Sequence, residues 1–224
     1  MAKKIIAIDG PASSGKSTTA KLVAKKLNFF YLDTGAMYRA ITLKALEESV
    51  DVNDEKKLEK LVKDSVISFK NENGIQKILL DGKDVSEKIR KPLVDYNVSL
   101  VSMHKKVRKV LVEKQKEIGR KHNLVAEGRD TTTVVFPHAF KVYLDADLKE
   151  RAKRRFLELK DKGIQTSLEE QMKEIAQRDK LDSEREASPL CLAKDAMVVD
   201  TTHLTIEEQV NRVIELYEDT SRVS

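Results

Sequence analysis

Residues 10 to 18 read Gly10-Pro11-Ala12-Ser13-Ser14-Gly15-Lys16-Ser17-Thr18, and the first eight fit the pattern G-x-x-x-x-G-K-[ST]. That spacing suits a polyphosphate. Glycines let the backbone wrap around an anion, N–H groups at a helix start point at it, and the lysine bridges the β- and γ-phosphates. The hydroxyl of Ser17 is then placed to hold Mg²⁺. The competing account, a glycine-rich turn with no ligand, is disfavoured by the flanks: a short apolar run precedes the loop and a helical pattern follows it. No N-K-x-D sequence of the kind that reads guanine is present, which favours ATP over GTP.

Bringing a second phosphorylated molecule to that loop stacks several negative charges together, so the site must supply fixed cations. Arginine does this best, through paired contacts. The candidates are Arg39 in DTGAMYR, Arg129 in EGRD, Arg178 and Arg185 in QRDKLDSER, and Arg151, Arg154 and Arg155 in ERAKRR. For any one alone, a surface salt bridge is the competing explanation. Arg129 stands apart because LVAEGRD places it just past the carboxyl end of an expected strand, where open α/β sheets bind ligands. Arg151, Arg154 and Arg155 share one side of a helix. Glu150 with Arg154 and Glu158 with Lys162 would make that an ordinary ion-paired face, and spacing leaves this and a phosphate-closing lid equally open.

The elements that must position these groups alternate along the chain. KKIIAID reads as a buried strand, and the following helix carries Ala20, Val23, Ala24 and Leu27 at helical spacing. FFYLD is a second strand, and DTGAMYRAITLKALEE a helix entered through Asp33 and Thr34. Residues 64–90 change texture to short alternating runs broken by Asn73-Gly74 and Asp81-Gly82, the signature of a hairpin or small antiparallel sheet. Helical period returns in VDYNVSLVSMHKKVRKVLVEKQKEIGRK. It is followed by the strand NLVAEGRD, a loop, the strand AFKVYLDA, two charged helical segments across 147–182, the strand AMVVD and a C-terminal helix. The expected fold class is α/β: a P-loop parallel sheet flanked by helices, with a small β-rich insertion and a helical lid.

Composition narrows the function classes. A chain of 224 residues with 40% hydrophobic and 35% charged residues fits one globular domain spanning 1–224. No apolar run approaches the length of a membrane span, and Asp9 interrupts the N-terminal one, so the expectation is a cytoplasmic protein with no membrane partner. The net charge of +5 is interleaved with acidic residues, as in EKKLEKLVKD, which argues for a solvated surface, a monomer and no nucleic-acid polymer. Cys191 is the single cysteine and is expected, like the methionines, to serve packing. His104, His122, His138 and His203 lack metal-ligand spacing.

Taken together, IDGPASSGKST, YLDTGAMYR, LDGKDVSEKIR, EGRDTTTVVFP, VYLDAD with ERAKRR, QRDKLDSER with SPL, and DAMVVDTT resemble the bacterial cytidylate kinases, within the nucleoside monophosphate kinases. The resemblance runs through nearly the whole chain. It implies transfer of the γ-phosphoryl group of MgATP to CMP or dCMP, by a core, a CMP-binding lobe at about 34–105 and a lid at about 148–185. It also implies residue roles. Gly10 to Thr18 bind ATP, with Lys16 on its phosphates and Ser17 on Mg²⁺. Arg39, Arg129 and Arg185 hold the CMP phosphate, and Asp33, Thr34 and Gly35 line the same substrate. Ser99, Arg108 and Asp130 meet the cytosine, and Arg178 and Asp182 the ribose. Lys16, Arg129, Arg151, Arg155 and Arg185 are the catalytic set. Without the resemblance, Ser99 and Arg108 read as exposed helix positions. The chain departs from the family pattern at Glu127, where a shorter Asp is expected, and at Thr131-Thr132, in place of a hydrophobic residue and glycine. Other monophosphate kinases acting on UMP or AMP, and P-loop kinases acting on an alcohol, are the alternatives.

Overall fold

The structure is a computed structural model that describes residues 3–72 and 75–223. Two compact units result, one formed by Met1–Leu32 with Ile118–Ser224 and the other by Asp33–Glu117.

The first unit holds the sheet. Its strands are β1 (Ile5–Asp9), β2 (Phe30–Asp33), β6 (Leu124–Gly128), β7 (Phe140–Asp145) and β8 (Met197–Asp200), numbered with those of the second unit. They lie in the order β2-β6-β1-β7-β8, with parallel pairing at β1–β6, β1–β7 and β7–β8. Ile6 and Ile8 of β1, Val125, Val142 and Leu144 pack against Ala20, Val23 and Ala24 of α1 (Lys16–Leu27) and Val210 and Val213 of α8 (Ile206–Val223). The expected stripe of α1 is therefore the one buried, with Leu27 half-buried at its edge. Each fully buried aliphatic side chain contributes on the order of 1.5–3 kcal/mol. Helices α6 (Leu148–Asp161) and α7 (Leu168–Glu184), joined through a left-handed Gly163, form the expected charged pair and belong to this unit.

The second unit contains α2 (Thr34–Glu47), α3 (Glu55–Asp64), strands β3 (Ile67–Glu72), β4 (Ile75–Leu80) and β5 (Lys83–Asp84), a 3-10 turn (Lys88–Arg90), α4 (Pro92–Met103) and most of α5 (Lys105–Lys121). The antiparallel sheet β3-β4-β5 is the β-rich insertion. Asp81 and Gly82 both have positive φ and close a two-residue turn between β4 and β5, as that dipeptide predicts. The Asn73-Gly74 turn lies outside the described residues. Ile78 and Leu80 of β4, with Val85, Ile89 and Val94, cover Ala36, Ala40 and Leu43 of α2.

Several boundaries differ from expectation. EKKLEKLVKD, read only as mixed surface charge, is helix α3, which buries Leu58, Leu61 and Val62 and is capped by the Asp54 side chain accepting from the Lys57 N–H at 3.0 Å. The single helical stretch before β6 is two helices, because His104 takes an extended conformation and its Nε2 lies 2.8 Å from the Val52 carbonyl. The second unit takes in α5 as far as Glu117. The Lys106 N–H on Glu55 and the Lys114 ammonium on the Ser65 carbonyl tie α5 to it. Cys191, expected to pack, is exposed.

Candidate active site

Strand β1 ends at Asp9, whose register partner on β6 is Gly128. The phosphate loop and the Arg129 segment therefore leave adjacent parallel strands at their carboxyl ends, the position that open sheets use for ligands. Gly10 is required there: at φ +151 a Cβ would meet the Leu144 carbonyl oxygen at 2.0 Å. Gly15, at φ +95, would bring a Cβ within 2.7 Å of Gln209 Oε1 and is the left-handed cap of α1. Ser17 and Thr18 are exposed in the first turn, whereas Ser14 and Lys16 are buried.

Lys16 folds back on its own loop, its ammonium donating to the Pro11 carbonyl at 2.5 Å and to Ser14 Oγ at 3.3 Å. Burial, helped by the positive charges of Arg129 and Arg178, lowers its pKa to about 7, against the opposing pull of Glu127 and Asp9. Glu127, the longer acid at a position where Asp was expected, is buried and accepts from the Tyr31 hydroxyl at 3.0 Å.

The second departure also has a physical account. Residues Thr131–Val135 form a π-helical turn rather than an open loop. Asp9, fully buried, accepts four hydrogen bonds from it: the N–H groups of Thr131 and Thr132 at 3.0 and 2.7 Å, and both hydroxyls at 2.6 Å. Burial raises the Asp9 pKa even so, with these bonds acting to lower it. A hydrophobic residue and a glycine would supply the two amides only. The buried Asp130 immediately precedes the turn, and its carbonyl accepts from Val134 and Val135.

Around Asp182 of α7 the charges converge. Arg129 Nε donates to Asp182 Oδ2 at 2.8 Å and Arg185 Nη1 to Oδ1 at 3.3 Å, while Arg185 Nε takes the Ser188 carbonyl. Burial works against the carboxylate, but Arg129, Arg178 and Arg185 hold its pKa below the ordinary value. Glu127 and Asp179 also act on Arg129, so the guanidiniums are held in a buried network of charges, a preorganised arrangement that can meet a phosphate.

On α6, Arg151 Nε donates to the Ala146 carbonyl and Arg154 Nη2 to that of Thr201, at 2.8 and 2.5 Å, and Arg155 Nη1 pairs with Glu158 at 2.9 Å. Both expected acid–base pairs of the helix are present, Glu150 with Arg154 at 3.7 Å and Glu158 with Lys162 at 2.5 Å.

The second unit carries the remaining candidates. Asp33 caps α2 by accepting from the Ala36 N–H at 2.7 Å and pairs with Arg90 at 2.6 Å. Thr34 and Gly35 open that helix, and Arg39 bonds Asp95. Arg90 and Asp95 were not anticipated; their helix-end positions were the only signal. Arg108, read from spacing as exposed, is 3% exposed, lies over the Tyr38 ring at 5.2 Å and donates to the Ser102 carbonyl at 3.0 Å. Ser99 is half-buried on α4.

Among the described residues no group of three or more His, Cys, Asp or Glu could hold a metal ion. The exposed hydroxyl of Ser17 is an oxygen donor of the kind that would suit Mg²⁺. No helix among the described residues is long and apolar enough to cross a membrane.

Comparison with known proteins gives relatives that match nearly the whole chain. A cytidylate kinase of Caldanaerobacter subterraneus subsp. tengcongensis is 52% identical, covering 94% of this chain and 92% of the relative. A cytidylate kinase of Bacillus cereus is 51% identical, covering 96% and 97%. The crystal structure of an uncharacterized protein from Eubacterium ventriosum aligns with a TM-score of 0.54 at 12% identity, covering 96% of this chain and 99% of that one, a likeness of fold alone. The family model for cytidylate kinase matches residues 6–219, and the chain belongs to the cytidylate kinase family.

Proposed function

We propose that the protein transfers the γ-phosphoryl group of MgATP to CMP or dCMP, releasing ADP and the nucleoside diphosphate, as a cytoplasmic monomer. The gathering of Arg129, Arg178 and Arg185 around Asp182, beside the strand that feeds the phosphate loop, is the observation that carries the reading. A second phosphate needs such a cationic nest, whereas an alcohol acceptor needs a general base. A phosphate monoester is already ionised near neutrality, so orientation and charge neutralisation suffice.

In this reading the loop N–H groups and Lys16 hold the ATP phosphates. Ser17 would hold Mg²⁺, which would supply neutralisation of phosphate charge. Lys16 exchanges the Pro11 carbonyl for phosphate oxygens and is protonated in doing so. Arg129 and Arg185 orient the CMP phosphate, with Arg39 as a further ligand, while Asp33, Thr34 and Gly35 line the substrate and Arg178 and Asp182 address the ribose. Arg151 and Arg155 add positive charge as the phosphoryl group moves. Asp130 accepts from the cytosine N4 amino group, and Ser99 and Arg108 serve N3 and O2. Uracil would present an acceptor to Asp130.

A coupled ADP-release assay with CMP, dCMP, UMP, AMP and shikimate tests the reading. CMP is expected to lead, and an equal or faster rate with UMP, AMP or shikimate refutes it. The base role is tested by Asp130→Asn, which is expected to narrow the CMP/UMP ratio of kcat/KM by about 10-fold, within the ~10⁴–10⁵ that a polar pocket can supply. An unchanged ratio removes Asp130 from base reading.

A further inference from the structure

Ala12 is held from three directions by the α6–α7 pair. Its N–H donates to Asp179 Oδ1 at 2.9 Å, and its carbonyl accepts from Arg151 Nη1 at 3.0 Å. The same Arg151 nitrogen donates to Asp179 Oδ2 at 2.5 Å, so one carboxylate and one guanidinium close a ring through the backbone of the phosphate loop. The Ala12 methyl packs with Ala152 of α6 and Ile175 of α7, bordered by Leu148, Leu168 and Met172. Arg151 is almost completely covered and Asp179 is half-buried, with side-chain exposures of 9% and 20%. The roles assigned above leave Asp179 without one, although it is the residue on which the loop amide and the α6 arginine meet.

We propose that Asp179 is a positioning residue for the ATP side of the reaction, a reading that rests on the proposed function. Its two oxygens fix the start of the phosphate loop and the Arg151 guanidinium relative to each other, so that the loop meets the triphosphate already ordered. A loop without this tie must be ordered by the nucleotide itself, at a cost in affinity. Arg151 without its carboxylate turns toward other acceptors, and a misplaced charged group loses rate out of proportion to the distance it moves. A bond that only joined α6 to α7 would not need the Ala12 N–H.

The test is steady-state kinetics in both substrates, with MgATP binding measured by calorimetry in the absence of CMP. Asp179→Ala is expected to raise KM and Kd for ATP by about 10-fold, inside the ~10²-fold range of positioning effects, and to leave KM for CMP within about two-fold. Asp179→Asn keeps an acceptor for Ala12 but sets a donor against Arg151, so it should restore most of the ATP affinity while kcat stays low. Equal shifts for both substrates, or unchanged ATP affinity in Asp179→Ala, overturn the proposal. Should Asp179→Ala fail to fold, Asp179→Asn decides: kcat and ATP affinity both at wild-type values overturn it. A wild-type protein that binds MgATP but does not phosphorylate CMP defeats the proposed function and leaves the calorimetric comparison intact.

Discussion

Two arginine groups in the first unit find different sets of acceptors. At the carboxyl end of β6, Arg129 and Arg185 share Asp182, Arg178 adds its charge, and Glu127 and Asp179 act on Arg129 as well. On α6, Arg151 and Arg154 donate to the carbonyls of Ala12, Ala146 and Thr201, Arg151 also pairs with Asp179, and Arg155 has Glu158 as a partner. Both groups are arginine-rich in sequence. The first is gathered around side-chain carboxylates where the phosphate loop begins, and the second uses arginine largely as a strut that brings a helix to the loop. Counting arginines therefore does not identify a phosphate site; which acceptors surround them, and where in the sheet they lie, must be read as well.

The contrast can be broken by substitution. Arg129→Gln is expected to reduce kcat/KM for CMP by ~10²–10³, the scale of removing one preorganised donor from a developing charge. Arg155→Gln should lower kcat by no more than about 10-fold with KM for CMP unchanged, because its contacts form mainly in the closed complex. Equal losses in the two variants, measured side by side, would erase the distinction.

Lys16 sharpens it through pH. With a pKa lowered to about 7 by burial and by the arginines, the ammonium is mostly neutral at pH 8 in the ligand-free protein. Bound phosphates favour the charged form, so MgATP binding should take up approaching one proton at pH 8 and much less at pH 6. Calorimetry in buffers of different ionisation enthalpy reads this directly. The sign for stability follows: the unfolded chain binds the extra proton between about pH 7 and the ordinary lysine value of 10.5, so this group's contribution to stability rises with pH across that window. Binding that is proton-neutral at pH 8 would show that Lys16 is charged before ATP arrives.

The smallest effect on catalysis is expected at the turn behind Arg129. Thr132→Val removes one hydroxyl from the buried Asp9 carboxylate, a loss of about 1.5–3 kcal/mol for a bond to a charged group. A thermal melt should fall by about 5 °C, at roughly 2–4 °C per kcal/mol for a chain of this size. The kcat should change less than in Arg155→Gln. A melt unchanged within error would mean that the amides alone satisfy Asp9.

Much of this was legible in the sequence because it is local. The loop pattern needs only Gly10, Gly15, Lys16 and Ser17 at fixed spacing between a strand and a helix. Asp81-Gly82 specifies its turn through backbone conformation alone, and the apolar stripe of α1 is a matter of period. α3 was also legible in Leu58, Leu61 and Val62, but its dense charge masked the period. What the tertiary structure decided are pairings across long separations: Asp9 with Thr131 and Thr132, Arg129 with Asp182, Ala12 with Arg151 and Asp179. Nothing in the types of these residues states which partner each will find. An arginine is a clamp, a strut or a solvated charge according to which acceptors the fold places around it, and that is set by strand register and helix packing rather than by neighbours in the chain.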